Sequence, residues 1–130
     1  MRFSDAPYIS FDTEATGLHW PVDTGFGFSI ATPDGTTCYH DIRHNPRSLD
    51  WVNYELSMFR GIVICHNSSF DFKMAESAGL YLPMDRMDDT VTRACLINEH
   101  EHSFSLDYLS EKYLGERKVD IYPELAKLFG

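Results

Sequence analysis

A chain of 130 residues with 43% hydrophobic and 14% aromatic content can fill the core of one domain, 1–130, which argues against both disorder and a two-domain protein. Its formal net charge of −9 argues against a passive nucleic-acid binder, whose phosphate contacts come from Lys and Arg, and leaves open an enzyme that reaches phosphate through bound cations. No apolar run is long enough to cross a bilayer, no secretion signal follows Met1, and the widely spaced Cys38, Cys65 and Cys95 predict reduced thiols in a cytoplasm.

The first apolar run, Tyr8 to Phe11, is β-prone and ends in Asp12. Gly25 to Ala31 alternates and predicts a second strand. Asp34-Gly35 is a hairpin signal, with Thr36 to His40 returning as a third strand. From Leu49 to Phe59 the apolar residues follow helical spacing, and Gly61 is a stop. Ile62-Val63-Ile64-Cys65 is continuously apolar, which predicts a strand buried on both faces. Helices are expected over Phe70–Ala78, closed by Gly79, and over Thr90–Ile97. A further helix is capped by Ser105 and ends at Gly115, and a last one runs from Tyr122 to Phe129. This order predicts an α/β fold, a mixed sheet covered by helices.

Asp12 and Glu14 are two apart, so on a strand both carboxylates share one face, where like charges repel unless a cation sits between them. The alternative is a pair of solvated acids at a strand exit. Asp71 in His66-Asn67-Ser68-Ser69-Phe70-Asp71 follows a buried strand and opens a helix, where the helix dipole by itself would favour an acid.

The string Phe11 to Leu18 resembles the first motif of DEDD (DnaQ-like) 3′→5′ exonucleases, and His66 to Asp71 resembles the second. Asp89-Thr90, the stretch Ser105 to Gly115, and Tyr122 to Gly130 extend the likeness, most of all to the proofreading exonuclease domain of family A, phage-like DNA polymerases. The resemblance implies a ribonuclease H-like fold and a two-metal hydrolysis of the terminal phosphodiester. Asp12 would bridge two Mg²⁺ or Mn²⁺ ions, Glu14 would hold the one that generates hydroxide, and Asp71 would anchor the second. Thr13, Leu18, Asn67 and Phe70 would meet a single-stranded DNA 3′ end, Leu18 as an apolar wedge and Phe70 by stacking. Inward packing is the alternative for Leu18 and for Phe70. A downstream polymerase domain is the implied partner, in a bacterial or phage-infected cytoplasm. A ribonuclease D-like RNA exonuclease and a non-catalytic nucleic-acid-binding remnant are the competing functions.

The family's third motif supplies a fourth carboxylate. His102 to Asp107 imitates its His form, but Asp107 belongs to the helix upstream of that motif, so the chain is expected to stop before it. As such a fragment it is expected to hydrolyse DNA weakly or not at all, and to self-associate through uncovered apolar surface. The pairs His40/His44 and His100/His102 are expected to be solvated, and Trp20 and Trp51 to be packing residues.

Overall fold

In the computed structural model the described residues are 1–19 and 21–116; Trp20 and the expected helix over Tyr122–Phe129 lie outside them. Two compact units divide the chain, Met1–Arg93 and Ala94–Gly130.

In the first unit, β1 (Tyr8–Ala15), β2 (Gly25–Ala31) and β3 (Thr37–Asp41) form an antiparallel meander. Helix α1 (Arg47–Met58) leads into β4 (Ile62–Cys65), which runs parallel to β1. Helix α2 (Ser68–Ala78) and a 3-10 turn (Met84–Arg86) precede the short β5 (Met87–Asp89), parallel to β4. The sheet order is β3-β2-β1-β4-β5, a mixed five-stranded sheet, as the α/β expectation requires. The chain then enters α3 (Thr90–Ile97). The β2–β3 turn places Gly35 at φ 87°, a conformation glycine adopts without a Cβ clash, so the Asp34-Gly35 signal is met.

Period-two alternation assigns the faces. In β1, Ile9, Phe11 and Thr13 are buried, whereas Tyr8, Ser10, Asp12 and Glu14 are exposed. The buried set meets Phe28, Ile30, Val63 and Cys65 of the neighbouring strands, with Val52 and Leu56 of α1 and Ala75 of α2 completing one core. Both helices therefore cover the same face of the sheet. On the opposite face Tyr8, Ser10, Asp12 and Glu14 are exposed, and here the expectation for β4 is corrected. Val63 and Cys65 are buried, but Ile62 is 41% exposed beside Tyr8 at 46%, so the strand is buried on one face only. Its all-apolar sequence hid the alternation.

Gly61 does not stop α1; Phe59 already turns extended there. The glycine is needed because β4 enters the sheet hard against β1: a Cβ at Gly61 would fall on the Pro7 carbonyl oxygen and lie 2.7 Å from Phe59 Cζ. Gly61→Ala should therefore cost about 1–3 kcal/mol in urea unfolding, the range of a forced overpacking. A loss under ~0.5 kcal/mol would mean this backbone contact is not fixed.

In the second unit, α4 (Leu106–Leu114) starts where predicted: the Ser105 side chain accepts from the Tyr108 N–H, and Gly115 closes the helix. Glu101, its side chain 1% exposed, accepts from Lys112 Nζ at 2.5 Å and from the Tyr113 hydroxyl at 2.7 Å. Asp107 sits in the first turn of α4, where a helix start favours an acid, and the His102 ring lies 5.8 Å from that of Tyr108.

Candidate functional site

The second half of β1 carries the acids. Asp12 and Glu14 are exposed on the sheet face opposite the core, with Ser29 opposite Asp12 and Gly27 opposite Glu14 on β2. The Tyr39 side chain of β3 reaches across Gly27, where a Cβ would come within 2.7 Å of its hydroxyl. Burial, then the charges of Asp41 and Glu14, push the Tyr39 hydroxyl above its ordinary pKa. Tyr39 escaped the sequence reading, although its place two residues before Asp41 on an alternating strand puts it on the acid face.

Asp71 arrives from α2 and is 1% exposed. Its Oδ1 accepts both the Thr13 N–H at 3.1 Å and the Thr13 hydroxyl at 2.6 Å. Thr13 is itself buried, so its hydroxyl is committed to Asp71 and turned away from the acid face. The second oxygen of Asp71, Oδ2, is buried and no N–H or O–H reaches it, the weakly donating Cys65 thiol being the polar group beside the carboxyl. Burial raises the carboxyl to about 6 from an ordinary 3.8, against the lowering effect of Thr13, and the charge of Asp12 raises it further. The Cys65 thiol close by is pushed well above its usual range by burial and by the charges of Asp71, Asp12 and Asp89.

Asp12 and Asp71 thus stand near enough to act on each other electrostatically, and Glu14 shares the face of Asp12. Among the described residues, no group of three or more His, Cys, Asp or Glu side chains is gathered tightly enough to hold an ion. The donors are nonetheless hard oxygens of the kind Mg²⁺ and Mn²⁺ take, and a buried carboxylate oxygen that no N–H or O–H reaches is chemically suited to a cation.

The other predicted residues frame the acids. Leu18 is 78% exposed, so the inward-packed alternative does not hold. Its loop is stapled by Asp23, which accepts from Thr16 Oγ1 at 3.0 Å and from the His19 N–H at 2.9 Å, and Val22 of the same loop is 84% exposed. Asn67 is exposed at the start of α2, and Phe70 is half-buried outside the main core cluster. Of the histidines expected to be solvated, His40 is not: it packs 5.4 Å from the ring of Phe28 and 5.4 Å from that of Trp51. Its partners come from β2 and α1, which local sequence does not reveal.

Residues 1–127 match a protein-family model described as 3′-5′ exonuclease. DNA polymerase DpoZ of Vibrio phage phiVC8 is 49% identical over 133 residues, taking in 93% of this chain and 21% of that protein. DpoZ of Salmonella phage PMBT28 is 42% identical over 131 residues, 99% of this chain and 21% of the relative. The chain therefore spans about a fifth of the length of the curated relatives it matches. In three dimensions it is similar to Brucella melitensis NrnC with bound Mg²⁺, at a TM-score of 0.71 and 18% identity, over 92% of this chain and 60% of that one. That likeness is one of fold and agrees with the expected ribonuclease H-like architecture.

Proposed function

This chain belongs to the 3′-5′ exonuclease family, and from that premise we propose that it removes the terminal nucleotide of a single-stranded DNA 3′ end with the help of two divalent ions, in the proofreading manner. The observation that carries the reading is the buried Oδ2 of Asp71, which no N–H or O–H reaches, in a carboxyl that feels the charge of Asp12. The DNA substrate and a polymerase partner are inferred from the relatives named DNA polymerase, and the ions from the donor chemistry.

Mg²⁺ or Mn²⁺, when bound, would activate a water molecule and offset the charge growing on attacking and leaving oxygens. The chain's own residues have separate tasks. Asp12, which faces outward and whose charge acts on Asp71, would hold the ions together with Glu14 on the same strand face and Asp71. Thr13 does not touch the substrate in this reading; its N–H and hydroxyl fix Asp71 Oδ1 and leave Oδ2 as the ligand oxygen. Leu18, held outward by the Asp23 staple, would wedge against the terminal base. Asn67 and the half-buried Phe70 would border the strand end, Phe70 offering its ring edge or face to a base.

The ions can be tested without turnover. Asp12 and Asp71 repel each other in the folded chain and spread apart in the unfolded one, so a divalent ion held by them stabilises the native form by mass action. With a Kd of ~1 mM, about 10 mM Mn²⁺ should contribute roughly 1.4 kcal/mol. The melting temperature should rise by about 3–6 °C. Asp12→Asn should raise the melting temperature in EDTA and erase most of the Mn²⁺ gain, with Asp5→Asn as a surface control. An Asp12→Asn protein that gains as much from Mn²⁺ as the parent would remove these carboxylates from consideration as the metal site.

A further inference from the structure

Helix α2 begins without a cap of its own. Asn67 stands at the N-cap position, but its side chain caps no backbone N–H of the helix and accepts only the Ser69 hydroxyl at 3.4 Å, although the first backbone N–H groups of any helix need acceptors. The acceptor comes from another strand. Asp89, the last residue of β5, takes the Asn67 N–H at 3.0 Å on Oδ1. Its Oδ2 takes the Ser68 N–H at 2.8 Å and the Ser68 hydroxyl at 3.0 Å. Oδ1 also accepts the Val91 N–H at 2.9 Å, the bond an N-cap makes to its own helix, here α3. One carboxylate closes the starts of two helices. Burial works against its charge, but the N–H groups of Ser68, Asn67 and Val91 outweigh that and hold the carboxyl below its ordinary pKa.

The segment it grips is the one that aims the second motif. Asn67, at φ 70°, is the one non-glycine among the described residues in the left-handed region, so its conformation needs outside support. The Asn67 carbonyl accepts the Asp71 N–H at 3.3 Å, which ties the position of Asp71 to that of Asn67 through a single turn. A second brace runs alongside: His66 Nδ1 lies 2.8 Å from Thr90 Oγ1, and that hydroxyl donates to the Cys65 carbonyl at 3.2 Å.

We propose that Asp89 is a positioning residue for the Asp12–Asp71 site: by capping α2 from the adjacent strand it sets where Asp71 meets Thr13 and where Asn67 stands. The inference rests on the reading of Asp12 and Asp71 as divalent-ion ligands. A helix cap of purely local effect would steady α2 and nothing beyond it. A positioning residue must also alter the Asp71–Thr13 contact and the ion affinity, since outer groups that orient ligands typically change metal affinity by about 10- to 100-fold.

The test uses the whole chain and two variants: Asp89→Ala removes every acceptor, and Asp89→Asn keeps one. Two quantities are read, the Mn²⁺ affinity from thermal-shift titration and, without metal, the backbone amide NMR signal of Thr13, whose N–H reports on Asp71. Asp89→Ala should weaken Mn²⁺ binding about tenfold and move the Thr13 amide together with those of Asn67 and Ser68. Asp89→Asn should recover part of both. The proposal is overturned if the Asn67 and Ser68 amides move while the Thr13 amide and the Mn²⁺ affinity keep their parent values. Should Asp89→Ala fail to fold, Asp89→Asn carries the same two readings, with a smaller displacement expected and an unmoved Thr13 amide again overturning the idea. A parent chain with no Mn²⁺ response would sink the metal reading, and the Thr13 amide would still decide whether Asp89 controls Asp71.

Discussion

In the polypeptide that carries this domain, Asp12→Ala should slow release of the 3′-terminal nucleotide by about a thousandfold or more, while a single-stranded end is still captured within a few-fold of the parent. Asp12 is the outward acid whose charge acts on Asp71, and it shares its strand face with Glu14, so its loss disturbs both neighbours. Charge stabilisation by a bound divalent ion amounts to several kcal/mol in the transition state, and each ~1.4 kcal/mol is a factor of ten in rate. In the proposed reading, end binding rests on other side chains, Leu18, Asn67 and Phe70, which the substitution leaves in place. The measurement is shortening of a 5′-labelled single strand in Mn²⁺, with binding of the same strand followed in EDTA. Laddering from the 3′ end at near-parent rate in the Asp12→Ala protein would remove the mechanism. Loss of turnover together with loss of binding would mean that Asp12 grips the DNA rather than the ions.

Why the acids were legible and their supports were not follows from range. The facing of Asp12 and Glu14 needs only the period of a strand, and the structure keeps it, extending β1 to Ala15, past the first motif's acids. The Asp34-Gly35 turn, the Gly79 closure of α2 and the Ser105 cap are equally local, each decided within a few residues. Helix α2, by contrast, starts at Ser68, earlier than its apolar spacing suggests, because its cap is supplied by Asp89, twenty-one residues further along the chain from Ser68. No local pattern signals a cap donated from a distant strand. Strand β5, Met87-Asp88-Asp89, was missed for a related reason: a three-residue edge strand with two acids has neither alternation nor apolar content, and only its pairing to β4 makes it one. Thr13 is the instructive case inside the site. As the residue between two acids it reads as a substrate contact, yet alternation turns it to the buried face, where Asp71 from α2 needs a donor.

The pH dependence of the metal-free chain should carry the signature of Asp71. Its carboxyl is raised by burial to about 6 from an ordinary 3.8, with Thr13 opposing and the charge of Asp12 adding to the rise. A native state that holds a proton more tightly than the unfolded chain is favoured where that proton is bound. The contribution is therefore fully present below about pH 4 and is lost as the pH climbs through about 6. A rise of roughly two units corresponds to ~3 kcal/mol. The carboxyls of Asp23, Asp34, Asp41 and Asp88 are lowered and act in the opposite sense, gaining stability as the pH rises through the acid range. The Asp71 effect is thus read as a difference between parent and Asp71→Asn, in EDTA, from urea unfolding at several pH values between 4 and 7.5. The amide introduced by Asp71→Asn keeps an acceptor for the Thr13 N–H and hydroxyl but cannot ionise. The variant therefore carries a constant cost from its unpartnered amide nitrogen and no pH slope from this position. Relative to the variant, the parent should lose about 2.5 kcal/mol across the interval and then level off. Millimolar Mn²⁺ should return part of that loss above pH 6, where the ionised Oδ2 gains the partner that no N–H or O–H of the protein provides. A parent-minus-variant difference that stays flat from pH 4 to 7.5 would mean that the buried oxygen is already satisfied, and Asp71 would no longer serve as the reason for placing an ion there.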